Sequence, residues 1–190
     1  MAELDEEYIR RMEDVLALYE KPLSEGEPVV CIDEKPVVLH RDTRAPLAAR
    51  PGQAARRDYE YQRCGTANVF CGVEPKAGRH FPKPTATRSA AEFADYLLEI
   101  VARYPQAKTI HLVLDNLNTH NRKALGKRFG EKLGGLLWER FTVHYTPRHG
   151  SWLNQAEIEV GLFSRQCMGR RRIGDIKTLR REVRAWNRRL

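Results

Sequence analysis

Three carboxylates occupy positions in which an acid needs a partner. Asp33 sits in Cys31-Ile32-Asp33-Glu34, within an apolar, strand-like stretch. Asp115 closes the run Ile110-His111-Leu112-Val113-Leu114 and opens the turn Asp115-Asn116-Leu117-Asn118-Thr119-His120. Glu157 falls shortly after Pro147 and Gly150, in the first turn of an expected helix. A carboxylate partly buried in a strand is costly unless it is paired or holds a metal. Three that converge repel one another and call for about two divalent cations. Ligation by oxygen alone is the preference of Mg²⁺ or Mn²⁺, and two such ions activate water and stabilise the leaving oxygen in phosphodiester cleavage. Each acid also has a plainer reading. Asp33 could pair with an arginine, Asp115 could cap the helix that follows it, and Asn154-x-x-Glu157 has the spacing of a capping box.

The elements that must position these residues follow from pattern. Residues 29–38 are mostly β-formers, and Pro36 excludes a helix interior there. Residues 59–61, 66–73 and 79–82 read as short strands, divided by Gly65 and by Pro75 with Gly78. Ser89-Ala-Ala-Glu92 predicts a helix start, followed by Phe93, Tyr96, Leu97, Ile100 and Val101 at helical spacing up to Pro105. The continuous apolar run 109–114 predicts a central strand buried on both faces. A helical segment interrupted by Gly126, Gly130 and Gly134-Gly135 is expected over 121–137, and a strand over 141–145. A helix is expected over 153–168, with Ile158, Leu162 and Phe163 on its buried stripe. The order is α/β: an antiparallel opening, then strands alternating with helices, giving a mixed central sheet of about five strands with helices on both faces.

The charge is unevenly placed. The 190 residues hold 33 Lys+Arg against 25 Asp+Glu, a net of +8. Residues 1–30 carry nine acids and three bases, whereas residues 165–190 carry ten bases and two acids. We therefore expect an acidic N-terminal helix and linker over 1–28, one domain over 29–190, and a basic C-terminal helix. The run Arg170, Arg171, Arg172 and the arginine-rich loop 41–57 are candidate contacts for a phosphate backbone. Trp152 fits either base stacking or core packing. His40, His80, His111 and His144 lie beside strands without ligand spacing. Cys31, Cys64, Cys71 and Cys167 form no CxxC pair, which argues against a zinc ribbon or a disulfide framework. No apolar run approaches the ~18 residues of a membrane span, and the acidic start does not resemble a signal peptide. A cytoplasmic protein without membrane contact is the expectation.

The three acids and their contexts resemble the catalytic domain of DDE transposases of the mariner superfamily, of the bacterial insertion-sequence type. The matching stretches are Val29-Val30-Cys31-Ile32-Asp33-Glu34-Lys35, then Leu112-Val113-Leu114-Asp115-Asn116 with His120. The third, longest and most specific, is Tyr145-Thr146-Pro147-Arg148-His149-Gly150-Ser151-Trp152-Leu153-Asn154-Gln155-Ala156-Glu157. The resemblance implies a ribonuclease H-like fold. It also implies a metal-dependent endonuclease and strand transferase that cuts transposon ends and joins the 3′-hydroxyl to target DNA, often at TA. It assigns Asp33, Asp115 and Glu157 as catalytic ligands of Mg²⁺ or Mn²⁺. Asn116, His120 and Asn154 would orient them, and Arg148, His149, Arg170, Arg171 and Arg172 would meet DNA. Glu159 is the rival for the third acid, but two residues on it points about 200° round the helix.

The sequence departs from this pattern twice. Here 41 residues separate Asp115 from Glu157, more than relatives usually have, and the resemblance implies that the excess is a surface insertion over Gly126–Gly135. Relatives also carry N-terminal helix-turn-helix modules, for which there is no room before Val29. The expectations are therefore a homodimer or a partnership with full-length transposase, with a catalytically incompetent, DNA- or transposase-binding truncation as the alternative.

Overall fold

The computed structural model describes residues 5–115 and 120–190. A six-stranded mixed sheet has the order β3-β2-β1-β5-β6, with β4 also pairing with β2. Its members are β1 (Val29–Asp42), β2 (Tyr61–Glu74), β3 (Arg79–His80), β4 (Lys83–Thr85), β5 (Ile110–Leu114) and β6 (Phe141–Tyr145). The helices are α1 (Glu6–Glu20), α2 (Ala90–Arg103), α3 (Arg122–Phe129), α4 (Glu131–Trp138), α5 (Ala156–Leu162) and α6 (Ile176–Asn187). A 3₁₀ turn at Ser151–Leu153 precedes α5, and a π-helical turn at Phe163–Met168 continues it. The β1–β2 hairpin is antiparallel, whereas β1, β5 and β6 run parallel. The sixth strand, beyond the five expected, is one of the short edge pieces.

Strand alternation divides the interior. Val30 and Ile32 of β1 point into the larger core, with Leu112, Leu114, Phe93, Leu97, Ala124 and Leu125. Val29 and Cys31 point the other way, against Val15 and Leu18 of α1, Leu153 and Ala156. Further along that second face, Val37 and Leu39 meet Phe163, Leu179, Val183 and Trp186. Thus α2, α3 and α4 cover one face of the sheet, and α1, α5 and α6 the other.

Several local expectations change. β2 is one 14-residue strand rather than two pieces. Gly65 does not end it but adopts φ 101° where the register against β1 slips between Val38 and His40. The extra residue forms a bulge, which a residue without a Cβ accommodates. The 41–57 loop contains a small hairpin, with Leu47 bridging Arg56 and Arg50 bridging Gln53. The expected 121–137 helix is two helices, broken at Gly130 with φ 85°. Ala124 and Leu125, ahead of the break, are buried in the larger core, whereas residues 127–133 are exposed apart from the half-buried Phe129. The helix after Pro147 buries Ala156, Glu159 and Phe163 and leaves Ile158 63% exposed, so its stripe lies round the helix from the one expected. All four cysteines are free. Among the described residues no helix is long and apolar enough to cross a membrane.

Candidate active site

The parallel pairing of β1 and β5 sets two of the acids side by side. Cys31 is in register with Val113. Each acid lies two residues further along: Asp33 within the long β1, just past the stretch that pairs with β5, and Asp115 beyond the carboxyl end of β5, where α/β sheets gather their ligands. Asp33 follows the β1 parity that points to the α1/α5 face, whereas Asp115, just beyond β5, turns one oxygen to His120 on the α2 side. Asp33 is half-buried, and its Oδ1 accepts the Glu34 N–H at 2.7 Å. Burial pushes its carboxyl up to about 6; the Glu34 amide opposes this, while the charges of Asp115, Glu157 and Glu34 reinforce it. Asp33 therefore feels both of the other predicted acids. Among the described residues it has no basic partner, so the arginine pairing is not formed. Asp115 does not cap α3; Asn121 does, accepting the Ala124 N–H at 3.3 Å.

Glu157 reaches this place on α5, and Asn154 holds the approach. Asn154, only 2% exposed, donates from Nδ2 to the Ile32 carbonyl at 2.8 Å and accepts the Ala156 N–H at 3.1 Å. One amide thus joins the residue before Asp33 to the residue before Glu157. The Glu157 side chain is exposed and forms no capping box. Glu159, its rival, points away and is 1% exposed, with Oε2 against His80 Nδ1 at 2.7 Å. Burial raises its pKa in spite of His80. Its other oxygen has no hydrogen-bond partner. The Glu159–His80 pair instead ties α5 to β3.

On the opposite face of β1, His120 links Asp115 to an acid that spacing alone did not single out. Its Nδ1 lies 2.8 Å from Asp115 Oδ1 and its Nε2 lies 3.1 Å from Glu34 Oε1. The imidazole is 1% exposed and stacks on Phe93 with ring centroids 4.4 Å apart. Burial disfavours its charge, but the bonds to Asp115 and Glu34 raise it to about 9, so it is an imidazolium at neutral pH. The Tyr145 hydroxyl donates to the His120 carbonyl at 2.9 Å. Strand parity was the signal for Glu34: adjacent acids in a strand must face opposite ways. Asn116 lies outside the described residues.

The expected cationic residues divide. Arg148 and His149 are exposed beyond the end of β6, with Leu114 in register with Tyr145, so they flank the acids; His149 adopts φ 63°. Trp152 is 62% exposed on the same segment and is not core. Arg172 is turned inward. It donates to Asp42 and to the carbonyls of Asp58, Tyr59 and Glu60, holding the base of the β1–β2 hairpin. Arg171 pairs with Glu182 at 2.6 Å, while Arg170 is exposed. Among the described residues no three His, Cys, Asp or Glu groups stand close enough to form a ready-made ion cage. The charges felt at Asp33 are nonetheless all those of carboxylates, the ligand type that suits a hard divalent ion.

A mixed sheet with parallel centre and antiparallel edge, helices on both faces and an acid on each of two adjacent parallel strands or just beyond it defines a ribonuclease H-like α/β fold. The chain belongs to the DDE superfamily endonucleases, whose family model matches residues 28–180. Its fold is shared with the Mos1 mariner paired-end complex with Mn, at TM-score 0.61 and 15% identity over 100% of this chain and 57% of that one. The Mos1 strand transfer complex matches at TM-score 0.62 and 16% identity, over 98% of this chain and 56% of that one. The Mos1 paired-end complex with Mg matches at TM-score 0.57 and 17% identity, over 98% and 56%. The chain thus spans little more than half the length of those proteins. No curated protein matches it significantly in sequence.

Proposed function

We propose that this chain is the DNA-cleaving and strand-transferring unit of a mariner-type transposase. One observation carries the reading. Asp33 of β1 and Asp115 at the end of the adjacent parallel β5 are brought into line by the strand register, and the charges of Asp115 and of the helix-borne Glu157 are both felt at Asp33. Asp33, Asp115 and Glu157 would hold Mg²⁺ or Mn²⁺, as a pair of ions. That pair would supply activation of the attacking oxygen and stabilisation of the leaving one. The Mos1 structures bearing Mn and Mg support this choice of ion.

The chain's own residues supply the positioning. Asn154 fixes the spacing between Asp33 and Glu157 through the Ile32 carbonyl and the Ala156 amide. His120 holds one oxygen of Asp115 and leaves the other for a ligand. Arg148 and His149 lie where the phosphates flanking a scissile bond would pass, and the exposed Trp152 offers an indole face to an unstacked base.

The test is nicking of DNA carrying element ends by the purified chain in Mn²⁺ or Mg²⁺, with Asp33→Asn, Asp115→Asn and Glu157→Gln alongside. Cleavage should fall to background in all three while DNA binding persists. A wild-type chain that binds DNA in a salt-sensitive manner but nicks no faster than the variants would be a binding module instead. That result overturns the catalytic reading.

A further inference from the structure

The acidic N-terminal helix reaches into the arm that carries Glu157. Val15 and Leu18 of α1 are buried against Leu153 and Ala156. Between these contacts, the Tyr19 hydroxyl is set on the joint where the 3₁₀ turn becomes α5. It donates to the Leu153 carbonyl at 2.8 Å and accepts the Gln155 N–H at 3.4 Å, with Cys31 Sγ 3.3 Å away. A helix start leaves amide groups without intrahelical partners. The Gln155 side chain, at the N-cap of α5, makes no capping hydrogen bond, and Asn154 accepts the next amide, that of Ala156. Tyr19 accepts the Gln155 amide from another element.

We propose that Tyr19 is a positioning residue for Glu157, acting through the main chain of residues 153–155. Asn154 anchors the same joint from the β1 side, so the peptide leading to Glu157 is gripped from two directions. Packing alone needs only the ring; the hydroxyl is what touches the joint. The same helix also borders the second arm of the site. The charge of Arg11 is felt at Tyr145, which bonds the His120 carbonyl, and Asp14 bonds His144 Nδ1 at 2.7 Å. This inference rests on the reading of Glu157 as a metal ligand.

Tyr19→Phe in the full chain keeps the ring and removes the hydroxyl. Amide exchange followed by NMR should show the Gln155 N–H losing about tenfold in protection, with the amides of α1 and β5 unchanged. Calorimetric titration with Mn²⁺ should show binding weakened by about tenfold, the scale on which outer partners of a metal site act. Unchanged Gln155 exchange, or increased exchange spread along the whole of α1, overturns the proposal, because the hydroxyl is then dispensable or merely docks the helix. Unchanged Mn²⁺ affinity with faster Gln155 exchange also overturns it, since the joint then does not govern Glu157. A wild-type chain that neither binds Mn²⁺ nor nicks DNA refutes the catalytic reading instead, whatever Tyr19→Phe does to Gln155.

Discussion

Asp33 and Glu34 are neighbours in sequence and serve opposite faces of one strand. Asp33 meets the acids of the α5 side, while Glu34 is bonded to His120 on the α2 side. Alternation makes the division unavoidable, and it explains why a carboxylate bonded to a buried imidazole and a raised carboxyl are neighbours on one strand. The sign of the Asp33 shift gives a stability prediction. Its carboxyl titrates at about 6 folded against 3.8 unfolded, so the unfolded chain loses the proton first and stability falls as pH rises through that window. In the presence of a chelator at pH 7.5, Asp33→Asn should therefore melt a few degrees above wild type, even as it abolishes nicking. Below about pH 4 the difference should vanish, because both states then carry a neutral side chain. Equal melting temperatures at pH 7.5 would show that Asp33 is not strained by its neighbours.

At the scale of elements, the α3–α4 pair shows how a glycine sets a crossing. A Cβ built on Gly134 would lie 2.5 Å from the Leu125 carbonyl carbon and 2.6 Å from the Gly126 nitrogen. These are backbone atoms that move only if the two helices separate. Gly134→Ala should cost about 1–3 kcal/mol, the range for overpacking. Gly126→Ala meets only the Glu131 carboxylate at 2.8 Å, the far end of a flexible side chain, and should be nearly neutral. Thermal melts of the two variants separate these outcomes; equal losses would refute the close crossing. Glycines in this stretch were visible in the sequence, but their use was not. Spacing cannot distinguish a glycine that interrupts a helix, as Gly130 does, from one that admits a second helix. Gly65 is the strand counterpart: a glycine that looked like punctuation is a bulge inside a continuous β2.

At the scale of the whole molecule, the net charge resolves into surfaces with different employment. Arg172 and Arg171 are committed to Asp42, backbone carbonyls and Glu182, whereas Arg148 and His149 stand exposed beside the acids. Arg148→Ala should weaken DNA binding across sequences and lower the slope of log affinity against log salt by about 0.9. Arg172→Ala should instead lower the melting temperature by releasing the hairpin base. A salt slope unchanged in Arg148→Ala would remove that residue from the DNA path.

What the sequence determined by itself was local or tied to a short motif. Strand and helix periodicity, the parallel β5, and the three acids in their contexts were all legible, because a residue's face and a turn's chemistry depend on near neighbours. Helical rotation kept Glu157 and Glu159 from facing one metal and the Asn154-x-x-Glu157 spacing chose Glu157; the structure turns the two in different directions, one to solvent and one to His80. What only the tertiary structure decided involves partners far apart along the chain. Glu34 with His120, Asn154 with Ile32, Arg172 with the hairpin and Tyr19 with Leu153 are separated by 86, 122, 112–130 and 134 residues. Contacts of that separation leave no period in the sequence. They exist because the register of β1 against β5, and the seating of α1 and α5 on one face, bring those atoms within hydrogen-bonding reach.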